Sequence, residues 1–273
     1  ISVTSSATVS ILGLESGASW QYNLTGSQWN TGSGSSLDLN DHKHLQTTSY
    51  QIQVRQIDRV GNVSEAGTLS FTLDNEAPDA PSLSLALDTG NSSDNITSSA
   101  TINIAGLESA ASWEYNLGGR DWIAGSGSTV SVTDEGAYTL QVRQTDVAGN
   151  VSTTGSLSFT LDTTAPEGPG VSLAADSNIS NDGITNNRLI NIDYLESDAT
   201  WEYSLDGSTW TDGSGSSVSV EGDGARTIQV RQSDLAGNVS EIGSLSFTLD
   251  TTRPDAPTPA LASDAGASST DLV

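Results

Sequence analysis

Acidic side chains recur in this chain at fixed places, and oxygen-rich places are what a hard divalent cation needs. Asp74, Asp162 and Asp250 stand 88 residues apart (162−74 and 250−162). Each lies in nearly the same text: GTLSFTLDNEAPDAP (67–81), GSLSFTLDTTAPEGP (155–169) and GSLSFTLDTTRPDAP (243–257). Asp146 and Asp234 sit in D-x-x-G-N, and Glu108 and Glu196 in L-E-S. Asp88 with Asp94, and Asp176 with Asp182, open and close a D-x-x-x-x-x-D-x-I-T loop. Ca²⁺ takes about 6–8 oxygens from carboxylates, backbone carbonyls and Asn side chains, so Asn150 and Asn238 in the same loops are helpers. A second reading stands beside this one. Asp and Asn bond their own backbone in turns, and D-x-x-G-N is an ordinary turn signal. A separate group, Asp41 with His42 and His44, has the ligand types for Zn²⁺, and a solvated loop tip explains it equally well.

Composition narrows the partners. The chain carries 34 acids against 9 bases, a formal net charge of −25. Nucleic acid and anionic membrane surfaces both require Lys and Arg, so neither is an expected partner. No stretch approaches the ~20 apolar residues of a membrane helix, so no membrane insertion is expected. Cys and Met are absent, which excludes a disulfide framework and a thiolate metal site. No segment at the start reads as a signal peptide.

The period decides the architecture. Arg55, Arg143 and Arg231 keep it, as do Asp58, Asp146 and Asp234. Trp113 and Trp201 keep it too, whereas Trp20 and Trp113 are separated by an insertion that lies between Trp29 and Arg55. The expected organisation is repeat 1 over 1–75, lacking its opening strand, repeat 2 over 76–163, repeat 3 over 164–251, and the start of a further repeat over 252–273. Both ends fall inside a repeat, which reads as a piece of a longer array. Within repeat 2, seven segments alternate apolar and polar residues: 81–86, 100–107, 112–117, 121–125, 128–133, 137–146 and 156–162. Gly, Asn, Asp and Ser fill the gaps, and no segment has helical spacing. Seven short strands in under ~90 residues predict an all-β fold of tandem seven-stranded Ig-like β-sandwiches, arranged as an elongated rod.

Alternation assigns faces. Trp113, Tyr115 and Leu117 share the core side with Leu140 and Val142. Glu114 and Arg143 fall on the outer side. If the third and sixth strands are neighbours they face each other, as do Glu202 with Arg231 and Gln21 with Arg55. Both Trp residues of each repeat are expected in the core rather than on a carbohydrate platform. NLGGRDW and SLDGSTW read as tight hairpins between the two Trp strands. In this topology the linker Asp74 or Asp162, the loop Asp146 or Asp234, and Glu108 or Glu196 converge at each junction. Asp88 and Asp94, or Asp176 and Asp182, come from the preceding repeat. Calcium there, with linkers stiffened by Pro78, Pro81, Pro166, Pro169, Pro254 and Pro257, would make a string of modules rigid.

The string L-D-T-T-A-P-x-x-P … D-x-I-T … G-L-E-S … W-E-Y-S … V-R-Q-x-D-x-A-G-N-V-S resembles the bacterial Ig-like repeats of giant surface adhesins. These are biofilm-associated and RTX-type proteins exported by type I secretion. The resemblance runs through all three repeats. It implies an extender or stalk region at the cell surface, with calcium at the domain junctions held by the junction aspartates, Asp250 among them. Repeat 1 departs from it through its insertion and through Gln21 in place of the usual Glu.

No nucleophile and base recur together, so no enzymatic activity is expected. The leading reading is a secreted structural spacer whose partners are neighbouring repeats of the same chain. A module that itself binds carbohydrate or protein is the alternative. A third expectation is head-to-tail self-association, in which residues 257–273 supply the strand that repeat 1 lacks.

Overall fold

A computed structural model describes residues 2–24, 26, 28–39 and 48–259. The group Asp41, His42 and His44 lies outside the described residues. Those residues contain strands and no helix, so the expected all-β class is what is found.

Repeat 1 comprises β1 (Ser2–Thr4), β2 (Thr8–Ser10), β3 (Ser19–Asn23), β4 (Asn30–Thr31), β5 (Ser36–Asp38), β6 (Thr48–Ile57) and β7 (Gly67–Leu73). Repeat 2 comprises β8 (Ser82–Leu85), β9 (Ile96–Thr97), β10 (Thr101–Ala105), β11 (Ser112–Leu117), β12 (Ile123–Ala124), β13 (Thr129–Ser131), β14 (Gly136–Thr145) and β15 (Gly155–Leu161). Repeat 3 comprises β16 (Gly170–Leu173), β17 (Ile184–Thr185), β18 (Leu189–Asp193), β19 (Thr200–Ser204), β20 (Thr211–Asp212), β21 (Ser217–Ser219), β22 (Gly224–Ser233) and β23 (Gly243–Leu249). The chain divides into two compact units, 1–163 with 235–237, and 164–234 with 238–273.

In repeat 2 one sheet runs β12-β11-β14-β15-β9 and the other β13-β10-β8. Repeat 3 repeats both, as β20-β19-β22-β23-β17 and β21-β18-β16. All seven expected strands of repeat 2 are present. The eighth, β9, lies inside the polar D-x-I-T loop and pairs in parallel with β15, Ile96 opposite Thr160 and Thr97 opposite Leu161. Two residues are too few for alternation to reveal.

The inward residues pack into one core per repeat. Ile102, Ile104, Trp113, Val130, Val132, Leu140, Val142, Phe159 and Leu161 form that of repeat 2. Val and Ile dominate because β-branched side chains suit a pleated, half-buried surface. The second Trp departs from expectation. Trp122 belongs to the outer face, where the Arg143 guanidinium stacks over its ring at 4.1 Å. Trp29 under Arg55 and Trp210 under Arg231 do the same at 4.1 Å. The strand after the hairpin is only two residues long, so alternation could not assign its face. The same Arg143 reaches Glu114 at 2.6 Å, and Arg231 reaches Glu202 at 2.9 Å. Arg55 donates to Gln21 Oε1 from Nε at 3.0 Å and from Nη2 at 2.7 Å. The cross-strand pairs therefore exist as the register predicts, each capped by an aromatic ring.

Repeat 1 differs in one respect. Its smaller sheet has two strands, β2 and β5, where the other repeats have three. Among the described residues, that sheet of repeat 1 has no strand corresponding to β8 and β16.

Candidate functional site

The D-x-x-G-N turn is the first place where the recurring acids meet. Asp146 accepts hydrogen bonds at Oδ1 from Ala148 N at 2.8 Å and Asn150 N at 2.8 Å, and at Oδ2 from Asn150 Nδ2 at 2.8 Å. Gly149 takes φ of 94°, the left-handed conformation that lets the turn close. Asp58 with Asn62 and Asp234 with Asn238 build the same turn. Asp58 is held below the usual carboxylate range first by the Asn62 side chain and then by backbone donors. For Asp146, partial burial pushes the carboxyl up, but the Asn150 side chain and the backbone N–H groups of residues 148–150 outweigh it, and the net direction is down.

This turn is also half of a junction. Asn150 Nδ2 donates to the backbone oxygen of Asp74 at 3.0 Å, and Ser5 N donates to Ala148 O at 3.1 Å. The carboxamide of Asn150 thus bridges the Asp146 carboxylate and the linker backbone. The Asp74 carboxylate turns back on its own chain, where Oδ1 accepts from Glu76 N at 3.1 Å. Glu108 and Glu196 are exposed, and so is Asp250; Asp162 and Asp234 are half-buried. Among the described residues, no three carboxylates or imidazoles gather in a way that could hold a metal ion. The Asp74–Asp146 pair is linked through Asn150, and the turn by itself satisfies both oxygens of Asp146.

The D-x-x-x-x-x-D-x-I-T loops are different. Asp88 Oδ2 accepts from Asn95 N at 3.3 Å, and Asp94 Oδ1 from Ile96 N at 2.9 Å. Asp176 Oδ2 accepts from Asn181 N at 2.6 Å, and Asp182 Oδ1 from Ile184 N at 2.9 Å. The buried Thr97 hydroxyl ties the loop to Leu87 O at 2.8 Å, and Thr185 ties its loop to Ala175 O at 2.6 Å. In both loops the other carboxylate oxygen, Asp88 Oδ1 and Asp176 Oδ1, is buried without a hydrogen-bond partner. A buried, unpaired carboxylate oxygen is costly, and a cation is one of the few groups that offsets it. Carboxylate oxygens are the ligand type that Ca²⁺ takes.

One residue of structural consequence carried no role in the sequence reading: the Gln of V-R-Q. Gln144 is fully buried, and its Nε2 donates to Asp79 O at 2.8 Å and Gly106 O at 2.9 Å. Its Oε1 accepts from Glu108 N at 2.8 Å. Gln232 makes the same three contacts, to Glu167 O at 2.7 Å, Tyr194 O at 3.0 Å and Glu196 N at 2.9 Å. The L-E-S segment is therefore fixed through its backbone, and the incoming linker is fixed beside it. The signal was available: residues 140, 142 and 144 share the inward face, and the third is polar.

An acid-stability consequence follows from the turns. The folded pKa of Asp146 and of Asp58 lies below the unfolded value, so their stabilisation is complete above roughly pH 4 and is lost as pH falls through the folded pKa. Acid unfolding should steepen below about pH 4. Asp146→Asn should flatten that slope for repeat 2. An unchanged slope would mean the turn is not titrating.

The family model of the bacterial Ig-like domain matches residues 76–163. No curated protein matches the chain. Among solved structures, the FN1–FN3 domains of chicken CNTN1 share 11% identity, cover 86% of this chain and 90% of their own, and give a TM-score of 0.36. The fibronectin(III)-like modules of Clostridium thermocellum CbhA share 14%, covering 66% of this chain and 100% of theirs, at 0.39. A structure of a 1.5-MDa bacterial ice-binding adhesin, described in connection with host cell surface retention, shares 19%, covering 92% of this chain and 95% of its own, at 0.34. All three TM-scores are too low to tie the chain to any of these proteins. Repeat 2 is thus similar to the bacterial Ig-like domain, a non-enzymatic module, and repeat 3 carries the same strands and landmarks.

Proposed function

We propose that this chain is a spacer segment of a bacterial cell-surface adhesin, stiffened by calcium, that holds an adhesive part away from the cell. The tandem Ig-like repeats, the likeness of repeat 2 to the bacterial Ig-like domain and the strong negative charge support the spacer. The observation that carries the calcium is the buried, unpartnered oxygen of Asp88 and of Asp176 in two copies of one loop. Asp88 with Asp94, and Asp176 with Asp182, would hold the ion, and bound calcium would supply the positive charge that the loop lacks. The aspartates of the D-x-x-G-N turns serve as turn formers in this reading, and Asp74 and Asp162 as linker anchors. Secretion by a type I system, as in RTX-type adhesins, belongs to the same proposal and rests on the sequence resemblance.

Extracellular modules bind calcium with Kd of roughly 10⁻⁴–10⁻³ M. Isothermal titration of chelator-treated protein is expected to show two sites per chain, each lost separately in Asp88→Asn and Asp176→Asn. Saturating calcium at ~100 Kd should add about 2.7 kcal/mol to the stability of each loop's repeat. No heat at millimolar calcium, or binding that survives both substitutions, would sink the assignment. Small-angle scattering with and without chelator reads the stiffening directly, as a change in maximum dimension.

A further inference from the structure

Repeat 2 has a hollow where β11 and β13 end and β14 begins. Its volume is about 420 Å³, within the usual size range of small-molecule sites. Leu117, Val132 and Tyr138 line it with apolar surface, and Arg120, Thr133 and Asp134 with polar groups. Arg120 follows a Gly-Gly hairpin whose geometry is fixed. Gly118 and Gly119 take left-handed φ of 65° and 74°. Gly118 N donates to Thr139 O at 2.9 Å, and Gly119 N to Asn116 Oδ1 at 3.0 Å.

The aromatic ring in the hollow is held from two sides. Tyr138 stacks on Phe159 with ring centres 5.5 Å apart and planes at 23°, and its hydroxyl donates to Asp134 O at 2.6 Å. Phe159 is buried, whereas Tyr138 is half-buried. A ring fixed in this way loses little freedom when something docks on it. Among the described residues the ion pairs are Arg143 with Glu114, Arg188 with Glu221, and Arg231 with Glu202. Arg120 and Asp134 therefore line one hollow without pairing. A guanidinium offers only donors, and a carboxylate only acceptors. The space between them suits groups that both accept and donate, as hydroxyls do.

The scaffold does not require these side chains. In repeat 3, 88 residues on, Arg226 stands for Tyr138, Gly222 for Asp134 and Ser208 for Arg120. Arg226 Nε donates to Gly222 O at 2.9 Å, the same backbone bond that the Tyr138 hydroxyl makes. Repeat 3 thus closes the loop without the ring, the carboxylate or the hairpin cation. All three differences meet in one hollow of repeat 2. Charge narrows what could enter it. The net charge of −25 repels polyanions, and one guanidinium does not reverse that beyond a Debye length of ~8 Å. Arg120 disfavours a cation within the hollow itself. A neutral molecule meets neither obstacle.

We propose that this hollow of repeat 2 binds one neutral pyranose unit of a saccharide. The C–H face of the sugar lies on the Tyr138 ring, where both surrender apolar area to each other instead of to water. Neighbouring sugar hydroxyls donate to the Asp134 carboxylate, Arg120 donates to hydroxyl or ring oxygens, and the Thr133 hydroxyl takes either part. A single ring held in this way binds weakly, with a Kd that is roughly millimolar. The site gives repeat 2 a direct contact with glycan. It goes beyond the spacer reading and depends neither on that reading nor on calcium.

Amide NMR spectra of the full chain, titrated with cellobiose, maltose, lactose, mannobiose and glucuronate, test it. At least one neutral sugar is expected to give saturable shifts confined to residues 117–120 and 131–139. Arg120→Ser places the serine of repeat 3 on an exposed hairpin. It is expected to weaken binding about tenfold, the usual worth of a hydrogen bond to a charged group. Tyr138→Arg also copies repeat 3, removes the aromatic face and is expected to abolish binding, with circular dichroism reporting that the fold is kept. Should that variant unfold, Arg120→Ser alone decides. No shifts with any of the sugars at tens of millimolar overturn the proposal. So do shifts that map outside the hollow, or binding that is unchanged in Arg120→Ser or survives a folded Tyr138→Arg. Tighter binding of glucuronate than of every neutral sugar also overturns it, because the hollow would then be an anion site built on Arg120.

Discussion

Gln144→Ala is expected to destabilise repeat 2 by about 3 kcal/mol or more, out of proportion to one uncharged side chain. The substitution strips hydrogen bonds from Asp79 O, Gly106 O and Glu108 N at once. Each lost hydrogen bond costs on the order of 0.5–1.5 kcal/mol, and there are three of them. It also opens a void beside the linker entry, since Gln144 is fully buried. Gln144→Glu keeps the volume and the Oε1 acceptor but turns a carboxylate toward two carbonyl oxygens, and should be at least as harmful. Gln56→Ala should cost less, because Gln56 is half-buried and, beside the bond its Oε1 accepts from Glu15 N at 2.9 Å, its Nε2 makes one long bond of 3.4 Å where Gln144 makes two short ones. Native-state hydrogen exchange resolved by repeat measures all three in the intact chain. A loss below about 1 kcal/mol for Gln144→Ala would mean that water replaces the amide at no great cost.

Trp113→Ala is the second large effect, at about 3–5 kcal/mol, the usual range for truncating a buried aromatic. Trp113 is 8% exposed, and its Nε1 donates to Gly127 O at 3.1 Å. Its ring lies against Gly125, where a Cβ would meet Trp113 ring carbons. Gly125→Ala should therefore cost about 1–3 kcal/mol by overpacking, although alanine is compatible with most surface strands. Trp122→Ala provides the contrast. Its half-buried ring is on the outer face under Arg143, and such a cation–π contact is worth about 0.5–2 kcal/mol. Chemical denaturation and hydrogen exchange should separate the two tryptophans clearly. Equal losses would contradict their placement in different environments.

That contrast shows where sequence reasoning reached and where it stopped. Alternation over five or more residues places Trp113, Tyr115, Leu140 and Val142 inward and Glu114 and Arg143 outward, and the register pairs Glu114 with Arg143 as expected. Alternation fails on two-residue strands. Trp122 precedes β12, where the pattern points to the core and the ring lies on the outer face, and β9 hides inside a polar loop. Gln144 was legible in principle, because it follows Leu140 and Val142 at spacing two, but a polar side chain needs a partner list before its role shows. The acids divide in the same way. That they recur is plain from the text. That Asp146 spends its oxygens on its own turn, while Asp88 keeps one oxygen buried without a donor, depends on distances of a few tenths of an ångström that no pattern encodes.

The short parallel pairing that the sequence hid has a mechanical consequence. In repeat 2, β9 runs alongside the last strand, with Thr160 N bonded to Asn95 O at 2.9 Å and Asp162 N to Thr97 O at 3.0 Å. Repeat 3 repeats the pair, with Thr248 N to Gly183 O at 2.9 Å and Asp250 N to Thr185 O at 3.0 Å. In repeat 1, Asp74 N bonds to Thr4 O at 2.9 Å. Pulling on a module draws β9 back toward its start and β15 forward toward its end. Because the strands are parallel, that force slides one along the other, and the bonds between them are loaded together rather than peeled one by one. The aspartate that marks the period contributes its backbone N–H to this fastening in every repeat. A chain under tension is thereby held at the place where each module hands the load to the next.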